Sequence, residues 1–286
     1  MIIDAHCDTL SKWADGIAET HVSPSLMKDD YFQVFAAFSG ENKSFERLES
    51  LIDTYDKMTG FIKVILKSDL DKKGKKALLS VEDAGAIDSP DKVDYLYGRG
   101  VRMIGMTWNY NNHLAGSAME EDTGLTALGK DVLSKMEHLG ITADLSHMGE
   151  RSFYEVLENA KKPVVLSHSC CKEICDHKRN ITKEQFFALK ENGGVLGINF
   201  YPPFLGRKDA DTDDIIRHID AFLSLGGEDN IGIGSDFDGI DKMPKEIEGS
   251  ASVYALCEKL DAIYGGRIAK KIAGENFLRI LRGNLM

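Results

Sequence analysis

The sequence predicts an α/β protein with a (β/α)8 TIM barrel that occupies residues 1–286 as a single domain. Short apolar segments alternate with amphipathic segments along the whole chain, as expected for a parallel sheet. The length of 286 residues suits one such barrel. An open, doubly wound sheet is the alternative. No G-x-G-x-x-G or Walker-type loop follows the first predicted strand, and this argues against it.

Apolar runs of four to eight residues indicate the strands. Eight of them occur, at residues 1–5, 31–38, 77–82, 101–106, 141–145, 163–166, 195–200 and 231–236. Runs this apolar are typical of strands buried on both faces, as in a parallel barrel.

Apolar residues spaced three and four positions apart predict the helices. They are expected at residues 44–66, 91–99, 125–139, 153–160, 182–192, 213–225, 252–264 and 267–281. Gly100 and Gly140 directly follow two of these segments, and glycine commonly ends a helix.

Composition excludes several classes of function. The net charge of −11 repels a phosphate backbone, and no stripe of Lys and Arg with interleaved aromatics is present, so no nucleic-acid partner is expected. No apolar stretch reaches the ~18 residues of a membrane span, so we expect no membrane association. The five cysteines are sparse and odd in number, which predicts reduced thiols and a cytoplasmic protein.

The first predicted strand ends in a histidine and an aspartate two positions apart, His6 and Asp8. In an extended chain such a pair points to the same side, so one metal ion could bind both. The chain carries its own comparison in His218 and Asp220, which have the same spacing but lie in a predicted helix, where they face apart.

Ionisable residues also stand at the carboxyl ends of other predicted strands. These are Glu82, His147, His168 and Asp236. In a barrel the carboxyl ends of the strands converge, and imidazole with carboxylate ligands suits zinc, with room for two ions that share a bridge. The alternative is that each histidine only bonds a neighbouring loop and that Asp236 only forms a turn. The other five histidines are interpreted as surface or structural residues.

The motifs at these strand ends belong together. In order they are Asp4-Ala5-His6-Cys7-Asp8, Ser80-Val81-Glu82-Asp83, Asp144-Leu145-Ser146-His147, Leu166-Ser167-His168-Ser169, Arg179-Asn180, Asn199-Phe200-Tyr201 and Gly234-Ser235-Asp236-Phe237-Asp238-Gly239. With them the sequence resembles the membrane (renal) dipeptidase family of the metal-dependent amidohydrolase superfamily. The resemblance covers nearly the whole chain.

The resemblance implies a centre of two zinc ions. One ion would be bound by His6 and Asp8 and the other by His147 and His168, with Glu82 bridging both. It further implies Asp236 as the carboxylate that handles the proton. Arg179 would bind the terminal carboxylate of the substrate, and Trp108 and Tyr201 would be further substrate contacts. Trp108 stands where the best-known mammalian relatives carry a histidine, and an indole cannot polarise a carbonyl as an imidazole can.

We therefore expect hydrolysis of small dipeptides by a hydroxide that bridges the two ions, with Asp236 and Glu82 as the catalytic carboxylates. The resemblance adds dipeptides with a D-residue in second position. Two alternatives stay open: another amidohydrolase reaction at the same site, such as opening a lactone or cyclic amide, and a non-catalytic metal- or peptide-binding barrel. A homodimer also stays open, because apolar positions on the outer helices suit either the core or a dimer contact.

Overall fold

The computed structural model describes residues 1–40 and 44–286. Its strands are β1 (Ile2–Asp4), β2 (Tyr31–Phe38), β3 (Ile62–Lys63), β4 (Lys76–Glu82), β5 (Val101–Gly105), β6 (Thr142–Asp144), β7 (Val165–Ser169), β8 (Val195–Ile198) and β9 (Ile231–Ile233). All their pairings are parallel, and β1 lies between β2 and β9. The pairing of β2 with β4 closes the sheet, which confirms the (β/α)8 barrel and makes the open-sheet alternative wrong.

Helices cover the outside of the barrel. They are α1 (Thr9–Ala14), α2 (Phe45–Lys57), α3 (Pro90–Gly98), α4 (Ala127–Leu139), α5 (Glu150–Asn159), α6 (Lys183–Asn192), α7 (Pro202–Leu205), α8 (Thr212–Ser224), α9 (Ser252–Tyr264), α10 (Gly266–Lys270) and α11 (Asn276–Asn284). Hydroxyl caps start several of them; Thr182, for example, accepts a hydrogen bond from the Gln185 N–H. In the part of the chain that the structure describes, no helix combines the length and apolar composition that crossing a bilayer requires.

Two helix predictions need correction. The helix predicted over residues 44–66 ends at Lys57, because Met58 is extended and Gly60 has a φ of 82°. Residues Ile62–Lys63 then pair with β4 as the short strand β3. The helix predicted over residues 267–281 is interrupted by a π-helical turn, Lys271–Glu275. At Gly274 in this turn a Cβ would lie 3.0 Å from the Met1 carbonyl oxygen, so the turn lets the first strand approach.

The interior of the barrel is apolar below the site. Ile3, Phe32 and Leu78 come from three different strands and belong to one buried cluster. Phe277 and Ile280 of α11 pack into the same cluster. A larger cluster fills the layer between the strands and the outer helices. Both layers hold the strand ends rigidly, and this is what positions the polar residues that follow them.

A close contact between strands leads to a stability prediction. A Cβ on Gly234 would overlap the carbonyl oxygen of Ser167, because β7 and the end of β9 approach closely there. We expect Gly234→Ala to lower the free energy of unfolding by about 1–3 kcal/mol, measured by urea denaturation. Gly283→Ala in α11 is the control, since no atom of the described residues lies within 4 Å of the Cβ that this substitution adds. The control should match the wild type or gain up to about 1 kcal/mol. Equal losses in both variants would contradict the prediction.

Candidate metal centre and substrate cavity

The carboxyl end of the barrel gathers a compact group of ionisable side chains. The six strand-end residues that the sequence singles out all lie there and are buried: His6, Asp8, Glu82, His147, His168 and Asp236. Their side-chain nitrogen and oxygen atoms form three overlapping groups, each with its atoms within 4.8 Å of one another. The barrel thus brings together residues from five strand ends.

Glu82 lies between two pairs of these residues. We call His6 with Asp8 the first pair and His147 with His168 the second pair. Glu82 Oε2 is 3.7 Å from His6 Nε2, whereas Oε1 is 2.9 Å from His147 Nε2 and 3.7 Å from His168 Nε2. Within the first pair, His6 Nε2 is 3.2 Å from Asp8 Oδ2. Each carboxylate oxygen of Glu82 therefore faces a different pair, as a bridging ligand requires.

Burial is the largest single influence on the pKa of the three histidines at the site. It lowers the pKa of His6, but the charges of Glu82 and Asp8 outweigh it and raise that pKa to about 10. Burial lowers the pKa of His147 and His168 well below their usual value, and the positive charge of Arg179 acts in the same direction. The second pair is therefore neutral at pH 7, which is the form that binds metal.

Burial raises the pKa of two carboxyl groups of the site, those of Glu82 and Asp236. It raises the pKa of Glu82 well above its usual value, with a further rise from the charge of Asp8, and it raises the pKa of Asp236 to about 6. The oxygen Oδ1 of Asp8 is buried and has no hydrogen-bond partner among the described residues. Buried carboxylates without partners are costly, so this donor set fits divalent cations.

The backbone at the site is strained. His147 and Asp236 have φ angles of 71° and 63°; Asp83, which follows Glu82, and Asp238, two residues after Asp236, have φ angles of 65° and 67°. Residues other than glycine rarely adopt this left-handed region. Such strain persists only where the surrounding structure enforces it, and it clusters at functional sites.

Two asparagines hold site residues in place. The Nδ1 of His147 lies 2.9 Å from Asn109 Oδ1, so this ring nitrogen donates and Nε2 is left free towards Glu82. Asn199 Nδ2 donates to Asp236 Oδ2 at 2.9 Å. Sequence reasoning gave neither asparagine a role. The signal available was the position of each near the carboxyl end of a predicted strand, since Asn109 follows the strand at 101–106 by three positions and Asn199 lies in the last two residues of the strand at 195–200.

A cavity of about 500 Å³ opens over the site and is lined by five of the six residues, Asp8, Glu82, His147, His168 and Asp236. Arg179 lines it and is buried, and its Nη2 has no hydrogen-bond partner among the described residues. Burial lowers the pKa of Arg179 to about 10, although the charges of Asp236 and Glu82 oppose this shift. The guanidinium therefore stays charged at pH 7 and is available to an anion in the cavity.

Aromatic side chains form the cavity walls. The ring of Trp108 lies 4.8 Å from that of Phe38 and 6.0 Å from that of His147, between centroids. Tyr201 lines the cavity with Phe204, their rings 5.0 Å apart. His177 also lines it, so its interpretation as a surface or structural residue is incomplete.

Two of the remaining histidines, His113 and His218, form hydrogen bonds within the fold. His113 Nε2 lies 2.7 Å from the Ile87 carbonyl oxygen. His218 Nδ1 accepts a hydrogen bond from the Cys171 N–H at 3.0 Å. These contacts agree with the interpretation of both as structural residues.

Comparison with known proteins identifies the class of this site. The family model described as membrane dipeptidase (peptidase family M19) matches residues 1–284. The chain belongs to this family. Membership makes it a metallo-dipeptidase, as the resemblance of its motifs implies, and favours an enzyme over a non-catalytic barrel.

Three relatives of this dipeptidase family member illustrate the match. An uncharacterized protein from the pqqA 5′ region of Klebsiella pneumoniae is 36% identical over 216 residues, which cover 71% of this chain and 79% of the relative. An uncharacterized dipeptidase of Schizosaccharomyces pombe is 37% identical over a match that covers 61% of this chain and 44% of the relative. A dipeptidase of Aspergillus oryzae is 31% identical, with 72% and 50% covered. The matches thus span about half the length of these fungal relatives.

Solved structures share the barrel of this dipeptidase. A dipeptidase described as a metallo peptidase superposes with a TM-score of 0.88 at 24% identity, covering 99% of this chain and 98% of its own. A metallo peptidase from Rhodobacter sphaeroides, liganded with a phosphinate mimic of the dipeptide L-Ala-D-Ala, superposes with a TM-score of 0.88 at 22% identity, covering 99% of both. At this identity the likeness establishes the fold.

Proposed function

We propose that this dipeptidase hydrolyses the amide bond of small dipeptides with a free carboxyl terminus and uses two zinc ions to do so. The observation that carries the proposal is the position of Glu82, whose Oε2 faces the first pair and whose Oε1 faces the second pair, beneath a cavity that contains Arg179. A dinuclear centre and an anion-binding group in one cavity suit a substrate with an amide bond next to a carboxylate.

The two pairs would hold one ion each. His6 and Asp8 would bind the first ion and His147 and His168 the second, and Glu82 would bind both. Imidazole and carboxylate ligands favour zinc among the common divalent ions. When bound, the two ions would lower the pKa of a water molecule and polarise the scissile carbonyl group.

Asp236 would be the group that moves the proton. Asn199 donates to Oδ2, while Oδ1 lies 3.9 Å from His6 Nε2 and faces the first pair. This oxygen would accept the proton of the attacking water and return it to the departing amine. Asn199 would keep the carboxylate in this orientation through both steps.

Arg179 would select the substrate. A guanidinium binds a carboxylate through two parallel hydrogen bonds, and the buried Nη2 of Arg179 is free to make one of them. Because Arg179 lies in the same cavity as the proposed ions, only a short peptide with its carboxyl terminus near the scissile bond would fit. Trp108 and Tyr201 would contact the side chains of the substrate from the walls.

We include dipeptides with a D-residue at the carboxyl-terminal position. The metallo peptidase from Rhodobacter sphaeroides that shares this fold binds a phosphinate mimic of L-Ala-D-Ala, which supports testing such substrates. A panel of L-L, L-D and D-L dipeptides would rank the stereochemical preference directly.

Metal removal tests the proposal. Protein purified without added metal should contain two zinc ions per chain by elemental analysis and should release amino acids from the dipeptide panel. Chelation and dialysis should abolish turnover, because these side chains alone cannot generate hydroxide at pH 7. Zinc should restore turnover, with manganese and cobalt as the comparison ions. Full turnover by metal-free protein would disprove the mechanism.

A further inference from the structure

Ser167 lies directly between two of the proposed metal ligands. It precedes His168 in β7 and is buried. Its Oγ is 2.8 Å from His168 Nδ1 and 3.5 Å from His6 Nδ1, and the centroids of the two rings are only 4.0 Å apart. One hydroxyl group therefore faces a histidine of the first pair and a histidine of the second pair.

The direction of the hydrogen bonds follows from what each group can donate. The carboxylate of Asp144 accepts only, and its Oδ1 already accepts the N–H groups of Ser146 and Ser167, at 3.0 and 2.9 Å. Its Oδ2 lies 2.5 Å from Ser167 Oγ, so the single hydroxyl hydrogen of Ser167 is donated there. The hydroxyl oxygen is then an acceptor for the imidazoles.

This direction decides which ring nitrogen of His168 carries the hydrogen. Because Ser167 Oγ accepts, His168 Nδ1 donates to it, and the lone pair of the neutral ring lies on Nε2. That nitrogen is the one that faces Glu82 Oε1 at 3.7 Å and His147 Nε2 at 3.0 Å. His6 Nδ1 faces the same acceptor from the other side.

We propose that Ser167, oriented by Asp144, is a positioning residue shared by both ions of the centre. It holds His168 in the tautomer that can bind metal and supports His6 in the same way, so its loss weakens the binding of both ions. This inference rests on the proposed two-ion function.

The chain contains a matched control for this arrangement. Asp4 accepts the Ser235 N–H at 2.9 Å and the Ser235 hydroxyl at 2.6 Å, as Asp144 does with Ser167, and Ser235 likewise precedes a site residue. Among the residues that the structure describes, the hydroxyl of Ser235 otherwise contacts only backbone groups, the His6 carbonyl at 3.3 Å and the Phe237 N–H at 3.2 Å. Ser235→Ala therefore removes the same kind of bond without removing a contact to an imidazole ring.

The experiment measures the zinc affinity of the metal-free wild type, Ser167→Ala and Ser235→Ala by titration in competition with a chromophoric chelator. The stability of each protein is measured separately by urea unfolding. We expect Ser167→Ala to weaken both zinc sites by about 10–100-fold, the usual loss when a hydrogen-bond partner of a metal ligand is removed. Ser235→Ala should keep wild-type zinc affinity even where it loses as much stability. Equal zinc affinities in the two variants, or a loss at one site only, would overturn the inference.

A second pair of variants covers a failure of Ser167→Ala to fold. In Asp144→Asn the amide NH2 would donate to Ser167 Oγ, which would turn the hydroxyl hydrogen towards His168 Nδ1 and favour the wrong tautomer. Asp144→Asn should therefore weaken zinc binding at least as much as Ser167→Ala does, whereas Asp4→Asn should keep the wild-type zinc affinity. Equal zinc affinities in Asp144→Asn and Asp4→Asn would overturn the inference. If the wild type binds two ions and the variants match it, only the inference fails. If the wild type binds no zinc, the proposed function fails and the inference with it.

Discussion

Replacing Glu82 with glutamine should lower kcat for dipeptides by at least about a thousandfold, since ~4 kcal/mol of barrier lowering is a modest share of what a metal centre supplies. Glutamine has the same shape but offers one acceptor oxygen and one NH2 group. Glutamine can present an acceptor oxygen to only one of the two pairs, so one of the two proposed ions loses its bridging ligand. Zinc content should fall below two per chain, measured by elemental analysis after dialysis.

The fold should survive this change, and that separates chemistry from stability. Burial raises the pKa of Glu82 well above its usual value, so folding of the metal-free protein disfavours the ionised carboxylate, and a neutral amide at this position avoids that cost. The metal-free variant should therefore be at least as stable as the metal-free wild type in urea. Glu184→Gln, at the exposed start of α6, is the control and should leave kcat and zinc content unchanged. Two bound ions and wild-type kcat in Glu82→Gln would remove Glu82 from the mechanism.

The barrel and the convergence of the six strand-end residues could be predicted from the sequence because both depend on local patterns. Buried strands are mostly apolar, and a polar residue near the carboxyl end of one, such as His147 or Asp236, must lie at the end of the sheet. No pattern of this kind marks β3 or the π-helical turn near Gly274. Both depend on how distant segments pack, which spacing within a short window does not encode.

The partners of the site residues could not be predicted for a similar reason. Asn109 contacts His147 across 38 positions, Asn199 contacts Asp236 across 37, and Ser167 faces His6 across 161. Such pairs exist only once the barrel closes and fixes the register of neighbouring strands. His177 illustrates the same limit, because it lies in a loop and only the course of that loop brings it to the cavity.

Replacing Arg179 with methionine should raise KM for dipeptides by about a hundredfold or more. A bidentate, charge-assisted contact with a carboxylate contributes roughly 3 kcal/mol, and methionine keeps the apolar volume while losing both hydrogen bonds. The effect should fall mainly on KM, because the contact is present in the bound substrate as well as in the transition state. Steady-state kinetics with a dipeptide and with its carboxyl-terminal amide measure this directly. In the wild type, KM should be much higher for the amide than for the dipeptide, whereas in Arg179→Met the two KM values should be similar.

The same variant separates the dipeptidase from the remaining alternative at this site. A lactone or cyclic amide has no free carboxylate, so a centre adapted to neutral rings would give Arg179 nothing to bind. If KM for dipeptides is unchanged in Arg179→Met, and a neutral lactone is turned over faster than any dipeptide, the results would favour the opening of a lactone or cyclic amide. Arg151→Met is the control, because Arg151 is exposed on α5 and pairs with Glu155 away from the cavity. Its kinetics should match the wild type, so a large KM effect confined to Arg179 would assign carboxylate recognition to this one side chain.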